Sequence, residues 1–159
     1  MSEQPDTLTE MSRHIEGRVL LIGRKIGQSK FDIFKDALRI EAKPNKYPTG
    51  NSPIAWERGL LAKLKEGDFR SIVLHRFLYK PTKSYVEDPA IILTEVSRIL
   101  PQGGVLAVNS FLLNEETKNF RSAESFFTES EMISMLQRPS FEGVVRIAVK
   151  DAVFFVCKK

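Results

Sequence analysis

Cysteine is almost absent from this sequence, since Cys157 is the only one among 159 residues. One cysteine cannot form an internal disulfide, and it cannot provide the paired ligands of a zinc or iron–sulfur site. Histidine is nearly as rare, and we identify no ligand partner for His14 near the N-terminus. We therefore predict no metal site and expect a reducing, cytoplasmic location.

Long hydrophobic stretches are also lacking. No apolar run approaches the roughly 18 residues that a membrane-spanning helix requires. Residues 1–16 are polar and contain no apolar core of an export signal. We expect no membrane association, and we expect a flexible leader over 1–16 followed by one domain over 17–159.

A concentrated basic region is the third absence. The net charge is +4, but the basic residues are scattered, and the densest group is only Arg24 and Lys25 with Lys30 nearby. A nucleic-acid interface is typically a basic stripe interleaved with aromatic residues. Nucleic acid is therefore an unlikely partner, and RNA association is a hypothesis that rests on the net charge alone.

Apolar residues are abundant enough for a folded core. They make up 42% of the chain against 28% charged residues, which favours a globular protein. Six short apolar segments predict strands, and they cover residues 18–23, 38–41, 71–75, 105–108, 143–149 and 152–156.

Two signals in the N-terminal half predict helix starts, namely an N-cap residue and an N-cap residue followed by proline. Ser29 as an N-cap predicts a helix over 28–38, where apolar residues recur at helical spacing. The three prolines and the glycine of 43–53 predict a loop. Ser52-Pro53 then predicts the start of a second helix, which Gly67 ends.

Helix signals in the C-terminal half are more complete. Asp88-Pro89 predicts a helix start, and the segment 101–104, with two glycines, predicts its end. Residues 114–126 predict a polar loop. Thr128 and Glu131 then have the spacing of a capping box, which predicts a last helix.

This alternation of strands and helices predicts an α/β fold with a doubly wound, mostly parallel sheet. Only Lys150 and Asp151 separate the last two strands, so these must form an antiparallel hairpin.

The arrangement resembles the class I methyltransferase superfamily, whose enzymes use S-adenosylmethionine (SAM) and whose last strand is inserted antiparallel. Residues 69–75 resemble the fourth strand of that family. Residues 93–104 resemble its helix and turn of the form E-x-x-R-x-L-x-P-G-G, with the proline one place early, and 126–131 resemble the start of its last helix. The resemblance implies a SAM-methyltransferase-like fold over 17–159.

The glycine turn after the first strand departs from the family pattern V-L-D-h-G-x-G-x-G, in which h is apolar. Here the segment reads VLLIGRKIG, so the resemblance implies Gly23 and Gly27 as cofactor-binding residues. Lys25 replaces the middle glycine, and Leu21 replaces the acidic residue that supports the methionine end of SAM. A side chain at position 25 would fill space that the ligand needs and would disfavour a positive φ. We expect SAM binding to be lost, with a rerouted turn that still binds SAM as the alternative.

Glu41 ends the second predicted strand, 18 residues after Gly23. An acidic residue about 20 residues after a glycine turn binds ribose hydroxyls in dinucleotide folds. Glu41 is therefore the ribose candidate if SAM binds, and otherwise a surface glutamate before a loop. The segment from Glu41 to Ser71 is short, which predicts that one strand of the sheet is missing or unrecognisable there.

His75 and Asn109 follow two neighbouring strands at the edge where such sheets bind ligands. We consider His75 a candidate general base and Asn109 a candidate for orienting a substrate, the alternative for His75 being a partly buried side chain among loop aromatics. Cys157 lies among apolar residues and is expected to be inert. Trp56 is expected to anchor a core or an interface.

Phe120, Phe126 and Phe127 surround a long loop, where they would dock a partner if exposed or close a connection if buried. We favour a domain that has lost catalysis and binds another protein. Ile92–Gly104 also resembles part of the N-terminal domain of the anamorsin family, which implies a role in cytosolic iron–sulfur assembly. The alternative is a small active SAM-dependent methyltransferase in which Gly23, Gly27 and Glu41 hold the cofactor.

Overall fold

A computed structural model describes residues 6–42, 54–57, 59–81, 88–139, 141–149 and 152–159. Seven strands form one sheet in these residues, namely β1 (Val19–Gly23), β2 (Leu38–Glu41), β3 (Ile54–Ala55), β4 (Ser71–His75), β5 (Val105–Asn109), β6 (Glu142–Val149) and β7 (Ala152–Lys158). Their order is β3-β2-β1-β4-β5-β7-β6. The first five strands are parallel, and β7 is antiparallel to both β5 and β6. The predicted α/β fold with a C-terminal antiparallel hairpin is confirmed.

Each face of the sheet is covered by its own apolar cluster. On β1, Leu20 and Ile22 belong to one cluster together with α2 (Pro89–Ile99) and α3 (Glu129–Gln137). Leu21 belongs to the opposite cluster, together with α1 (Thr7–Ser12) and the segment after β1. This burial on both faces explains why the central strands are continuously apolar.

The two C-terminal helices begin where the sequence predicts. The Asp88 carboxylate accepts a hydrogen bond from the Ala90 N–H at the start of α2. In α3, Thr128 and Glu131 form both bonds of the capping box. These local signals are sufficient because each satisfies backbone N–H groups that the first helical turn leaves free.

The prediction of a helix over 28–38 is wrong. One 3-10 turn occupies Ser29–Ile33, and its N-cap is Gln28, which makes no side-chain capping bond. Phe31 and Phe34 are three residues apart and both buried, which suits the three-residue repeat of a 3-10 turn. The chain then turns through Asp36, at φ 57°, to enter β2.

The helix predicted after Ser52-Pro53 is also not observed. Ser52 and Pro53, like the loop predicted over 43–53, lie outside the described residues. Ile54 and Ala55 form the edge strand β3 beside β2, because their backbone groups complete the hydrogen bonding of that strand. Leu61–Lys63 form only a 3-10 turn. The strand expected to be missing or unrecognisable is thus present but reduced to two residues, which agrees with the second of these alternatives.

Residues 7–12 lie in the segment that the sequence indicates as a leader, and they form α1. Asp6 caps this helix by accepting from the Thr9 N–H. Met11 is fully buried in the apolar cluster that contains Phe154 of β7.

Among the helices that can be described, none has the length and apolarity that a bilayer crossing demands.

Candidate functional site

Four of the five candidate residues lie in one row across the carboxyl edge of the parallel strands, and Gly27 lies beyond it. Gly23 is in register with Glu41 on one side and with His75 on the other, and His75 is in register with Asn109. Neighbouring strands are about 4.8 Å apart, so the row extends about 14 Å. These four positions therefore lie side by side, and the chemistry of each residue depends on what surrounds it.

Gly23 is required by strand packing. A Cβ atom at this position would lie 2.1 Å from the His75 carbonyl oxygen. The same oxygen accepts a hydrogen bond from the Arg24 N–H at 3.2 Å. Close approach of β1 and β4 thus explains this glycine without any ligand.

Lys25 occupies the position of the middle glycine with φ 54°. The lysine adopts this conformation although its Cβ atom disfavours it, and its side chain is exposed. A left-handed conformation costs a non-glycine residue about 1–2 kcal/mol. The turn thus keeps a glycine-like backbone conformation at this position, and Gly27 beyond it is exposed.

Leu21 stands where the family pattern has its acidic residue. It is fully buried, in the apolar cluster that also contains Val73 and Phe31. Hydrocarbon therefore fills the region where the family pattern places a carboxylate.

The segment after the turn covers His75. The Phe31 ring meets the His75 ring edge to face, with ring centroids 4.9 Å apart. Arg39 of β2 holds this segment by donating to the Ile26 carbonyl at 3.1 Å and by pairing with Asp32 at 2.7 Å. His75 is consequently 4% exposed.

Burial lowers the pKa of His75 to about 3, with smaller contributions from the positive charges of Arg76 and Lys30. The ring is neutral near pH 7. Asn109 Nδ2 lies 3.2 Å from His75 Nδ1, and an amide N–H there donates to that nitrogen. The proton of the neutral ring then resides on Nε2, which makes His75 a hydrogen-bond donor.

Glu41 is 5% exposed at the end of β2. Its backbone carbonyl accepts from the Trp56 N–H at 2.9 Å. The Trp56 ring packs edge to face on Phe77, with centroids 4.9 Å apart, while its Nε1 finds no hydrogen-bond partner in the described part of the chain. Trp56 thus packs against the core, as one of the two roles expected for it.

A groove of about 1000 Å³ opens beside the His75–Asn109 end of the row. Lys30, Arg76 and Phe111 line it together with those two residues. Sequence reasoning did not single out Arg76 or Phe111, and it noted Lys30 only as one of several scattered basic residues. Arg76 directly follows β4 and Phe111 lies two residues after β5, and this position is the signal that would have found those two.

The aromatic residues near this groove divide into buried and exposed members. Phe126 is 3% exposed and stacks on Phe111 with centroids 5.6 Å apart. Phe120 is 48% exposed and contacts both rings from the side. Phe127 is partly buried, with Lys80 above its ring. The group therefore closes a connection at Phe126 and presents Phe120 to solvent.

Cys157 is 1% exposed in β7, and burial raises the pKa of its thiol to about 12. It is therefore an unreactive core residue. Within the described ranges, no three His, Cys, Asp or Glu side chains are grouped as a metal site would require.

Comparison with solved structures identifies the fold. A SAM-dependent methyltransferase from Thermotoga maritima is 20% identical with a TM-score of 0.65, over 96% of this chain and 87% of that one. One from Methanosarcina mazei is 18% identical with a TM-score of 0.61, over 98% of both chains. A chain from the complex of the Haloferax volcanii Trm112 methyltransferase activator with a methyltransferase is 13% identical with a TM-score of 0.68, over 95% of this chain and 88% of that one. Neither the family models nor the curated proteins gave a match.

Proposed function

We propose that this chain, which has the fold of class I SAM-dependent methyltransferases, has lost SAM binding and acts by binding another protein. The observation that carries the proposal is Leu21, a fully buried hydrocarbon side chain at the position of the family's acidic residue. A buried leucine offers no hydrogen bond to the polar methionine end of SAM. The loss of such a partner is costly because the ligand's polar groups would be desolvated without compensation.

The segment after the glycine turn supports the same proposal. The glycine turn is followed by a single 3-10 turn, Ser29–Ile33. A long helix in this place would direct several free backbone N–H groups towards a ligand, and it is absent from these residues. Phe31 from this segment packs onto His75. A carboxylate that could hold the ribose is therefore present at Glu41, but Leu21 provides none for the methionine end of SAM.

The exposed aromatic side chains favour a protein partner. Phe111 and Phe120 are 36% and 48% exposed and lie 6.0 Å apart by ring centroid. Adjacent exposed aromatics are typical of protein interfaces. One similar structure comes from a complex between a methyltransferase and an activator protein, so the fold is compatible with such binding.

Iron–sulfur assembly is the cellular role that the Ile92–Gly104 resemblance suggests. Cys157 is buried and unreactive, so this chain would not ligate a cluster itself. Under this proposal the cluster belongs to the partner. A binding assay with a cluster-carrying assembly factor would test it, and failure of that factor to bind at micromolar concentration would reject this role.

A small active SAM-dependent methyltransferase is the second candidate. The specific observations that favour it are the left-handed Lys25, which keeps a glycine-like turn, and the position of Glu41 in the same row as Gly23. In that case Glu41 would hold the ribose hydroxyls, and Gly23 and Gly27 would flank the cofactor. His75 and Asn109 would face the acceptor, with neutral His75 as a donor.

Calorimetric titration with SAM separates the two candidates. We expect no saturable heat at about millimolar SAM, which corresponds to less than about 4 kcal/mol of binding free energy. Micromolar binding that disappears in Glu41→Ala, and persists in Glu142→Ala at an exposed glutamate of β6, would establish the enzyme candidate instead. Gain of SAM binding in Lys25→Gly would identify the lysine as an obstacle.

A further inference from the structure

Two cations border His75 in the groove, and neither forms a salt bridge within the described part of the chain, although the positive charge of Lys30 acts on the Asp6 carboxylate. Lys30 Nζ lies 5.4 Å from the centroid of the Phe31 ring, and Arg76 Cζ lies 4.4 Å from that of Phe111. Both residues line the same groove as His75, and after burial their positive charges are the further causes that lower the pKa of its ring. The inner end of the groove thus holds two positive charges that form no salt bridge in the described residues.

The acidic groups of the groove are engaged elsewhere or lie on its rim. Glu129 pairs with Arg146 of β6, and the Asp6 carboxylate caps α1. On the loop after β5, Glu115 pairs with Lys118 at 2.6 Å and Glu116 is exposed. None of these carboxylates forms a salt bridge with Lys30 or Arg76 in the described part of the chain, which leaves both cations available to an anion.

Arg76 is held in this place by a strained backbone. Its φ is 51°, a left-handed conformation that glycine would adopt without cost. Its N–H donates to the Asn109 carbonyl at 2.5 Å, which fixes the residue directly after β4. Strain of this kind at the mouth of a cleft is characteristic of a functional position.

Two uncharged groups add donors beside these cations. The Asn109 amide leaves the His75 proton on Nε2, so the ring donates there without a charge of its own. Ser110 also lines the groove, and its Oγ is buried without a hydrogen-bond partner in the described residues. Positive charge and neutral donors together are the chemistry that recognises an anion.

We propose that the groove binds a small organic anion, whose carboxylate or phosphate group lies between Lys30 and Arg76 and whose apolar part packs on Phe111. His75 Nε2–H is the neutral donor of this site. The volume of about 1000 Å³ is at the upper end of the range for small-molecule sites. The inference does not depend on whether the glycine turn binds SAM.

Titration of the 15N-labelled protein with phenyl phosphate tests the proposal by NMR. We expect saturable shifts at the amides of Arg76, Asn109 and Ser110, and at least about tenfold tighter binding than for inorganic phosphate. Absence of saturable shifts at about 10 mM phenyl phosphate would reject the site. Tighter binding of a short acidic peptide that ends in phenylalanine would show that the occupant is a protein segment and would overturn the assignment to a small molecule.

Arg76→Gly and Lys25→Gly form a matched pair of variants. Each removes one positive charge and one left-handed side chain next to the end of a strand, but Lys25 does not line the groove. Arg76→Gly should weaken phenyl phosphate binding about tenfold, while Lys25→Gly leaves it within about twofold. An equal loss of affinity in both variants would mean that the weaker binding reflects the lower net charge, and it would refute the site. Glu41→Ala should leave the affinity unchanged, which separates this site from any SAM site.

Discussion

The two halves of this chain differ in how closely their structure follows local sequence signals, although both contribute strands to one sheet. In the C-terminal half, complete capping signals precede α2 and α3, and the observed helices begin there. In the N-terminal half, 3-10 turns stand where helices are predicted, and β3 has only two residues. One of these departures, the 3-10 turn Ser29–Ile33, follows the glycine turn after β1.

The largest effect is expected from Gly23→Ala, at the joint between the two halves. A Cβ atom there would lie 2.1 Å from the backbone oxygen of His75, so β1 and β4 would have to separate. We expect the free energy of unfolding to fall by about 3 kcal/mol or more, measured by urea denaturation.

Gly104→Ala is the matched variant in the C-terminal half. Its new Cβ would meet the Pro101 oxygen at 2.9 Å, a milder overlap before β5. It should therefore cost clearly less than Gly23→Ala. An equal or larger cost would mean that the β1–β4 contact is not the tighter constraint.

The second effect is a pH dependence that His75 imparts because Phe31 of the N-terminal half buries it. The pKa of folded His75 is about 3 against 6.5 for an ordinary histidine. Between these values only the unfolded chain binds the proton, so stability falls as the pH is lowered through this window. The loss from pH 7 to pH 5 should be ~2 kcal/mol for this group.

Urea denaturation of the wild type and His75→Gln at both pH values measures this contribution. The variant should lack about that part of the decrease. Equal pH dependence in the two proteins would mean that His75 is not buried as a neutral ring.

The third prediction compares the loss of stability when a side chain is removed at the start of a helix in each half. Thr128→Ala removes one bond of the capping box of α3 and should cost about 1 kcal/mol. Ser29→Ala, in the N-terminal half, removes no capping bond and should cost less than about 0.5 kcal/mol. Thermal denaturation of both variants would measure the contrast, and a larger loss for Ser29→Ala would reverse it.

The smallest expected effect is a gain in stability. Lys25→Gly relieves a left-handed residue and should stabilise the protein by up to about 1 kcal/mol, since relief of strain outweighs the added freedom of the unfolded chain. Asp36→Gly, at φ 57°, should gain less because aspartate tolerates this conformation better. Destabilisation by Lys25→Gly would show that the lysine side chain contributes contacts that outweigh its strain.

The features predicted from sequence are those with short-range causes. Three sequence signals are complete within a few residues: the caps at Asp88 and Thr128, and the two-residue link before Ala152. The structure has the two helices and the hairpin that they indicate. Ile54 pairs with Ile40 of β2 because β2 has a free edge, which depends on tertiary structure rather than on local preference.

The candidate site was predictable in part for the same reason. Parallel strands bring their carboxyl ends together, so the row from Glu41 to Asn109 follows from the strand assignment. Burial of His75 among aromatic residues was one of its two predicted roles, but Phe31 as the residue that covers it was not predictable, since that contact depends on the segment after the glycine turn packing back over the strand. The left-handed Arg76 leaves no mark in a sequence, because arginine there is unfavourable rather than typical.

An NMR titration of the wild type with SAM tests the loss of the cofactor site most directly, because it reports on the turn itself. The amides of Gly23, Lys25 and Gly27 should stay unshifted at about millimolar SAM. Saturable shifts of those three amides, with a dissociation constant in the micromolar range, would contradict the account and restore the chain to the catalytic members of its fold.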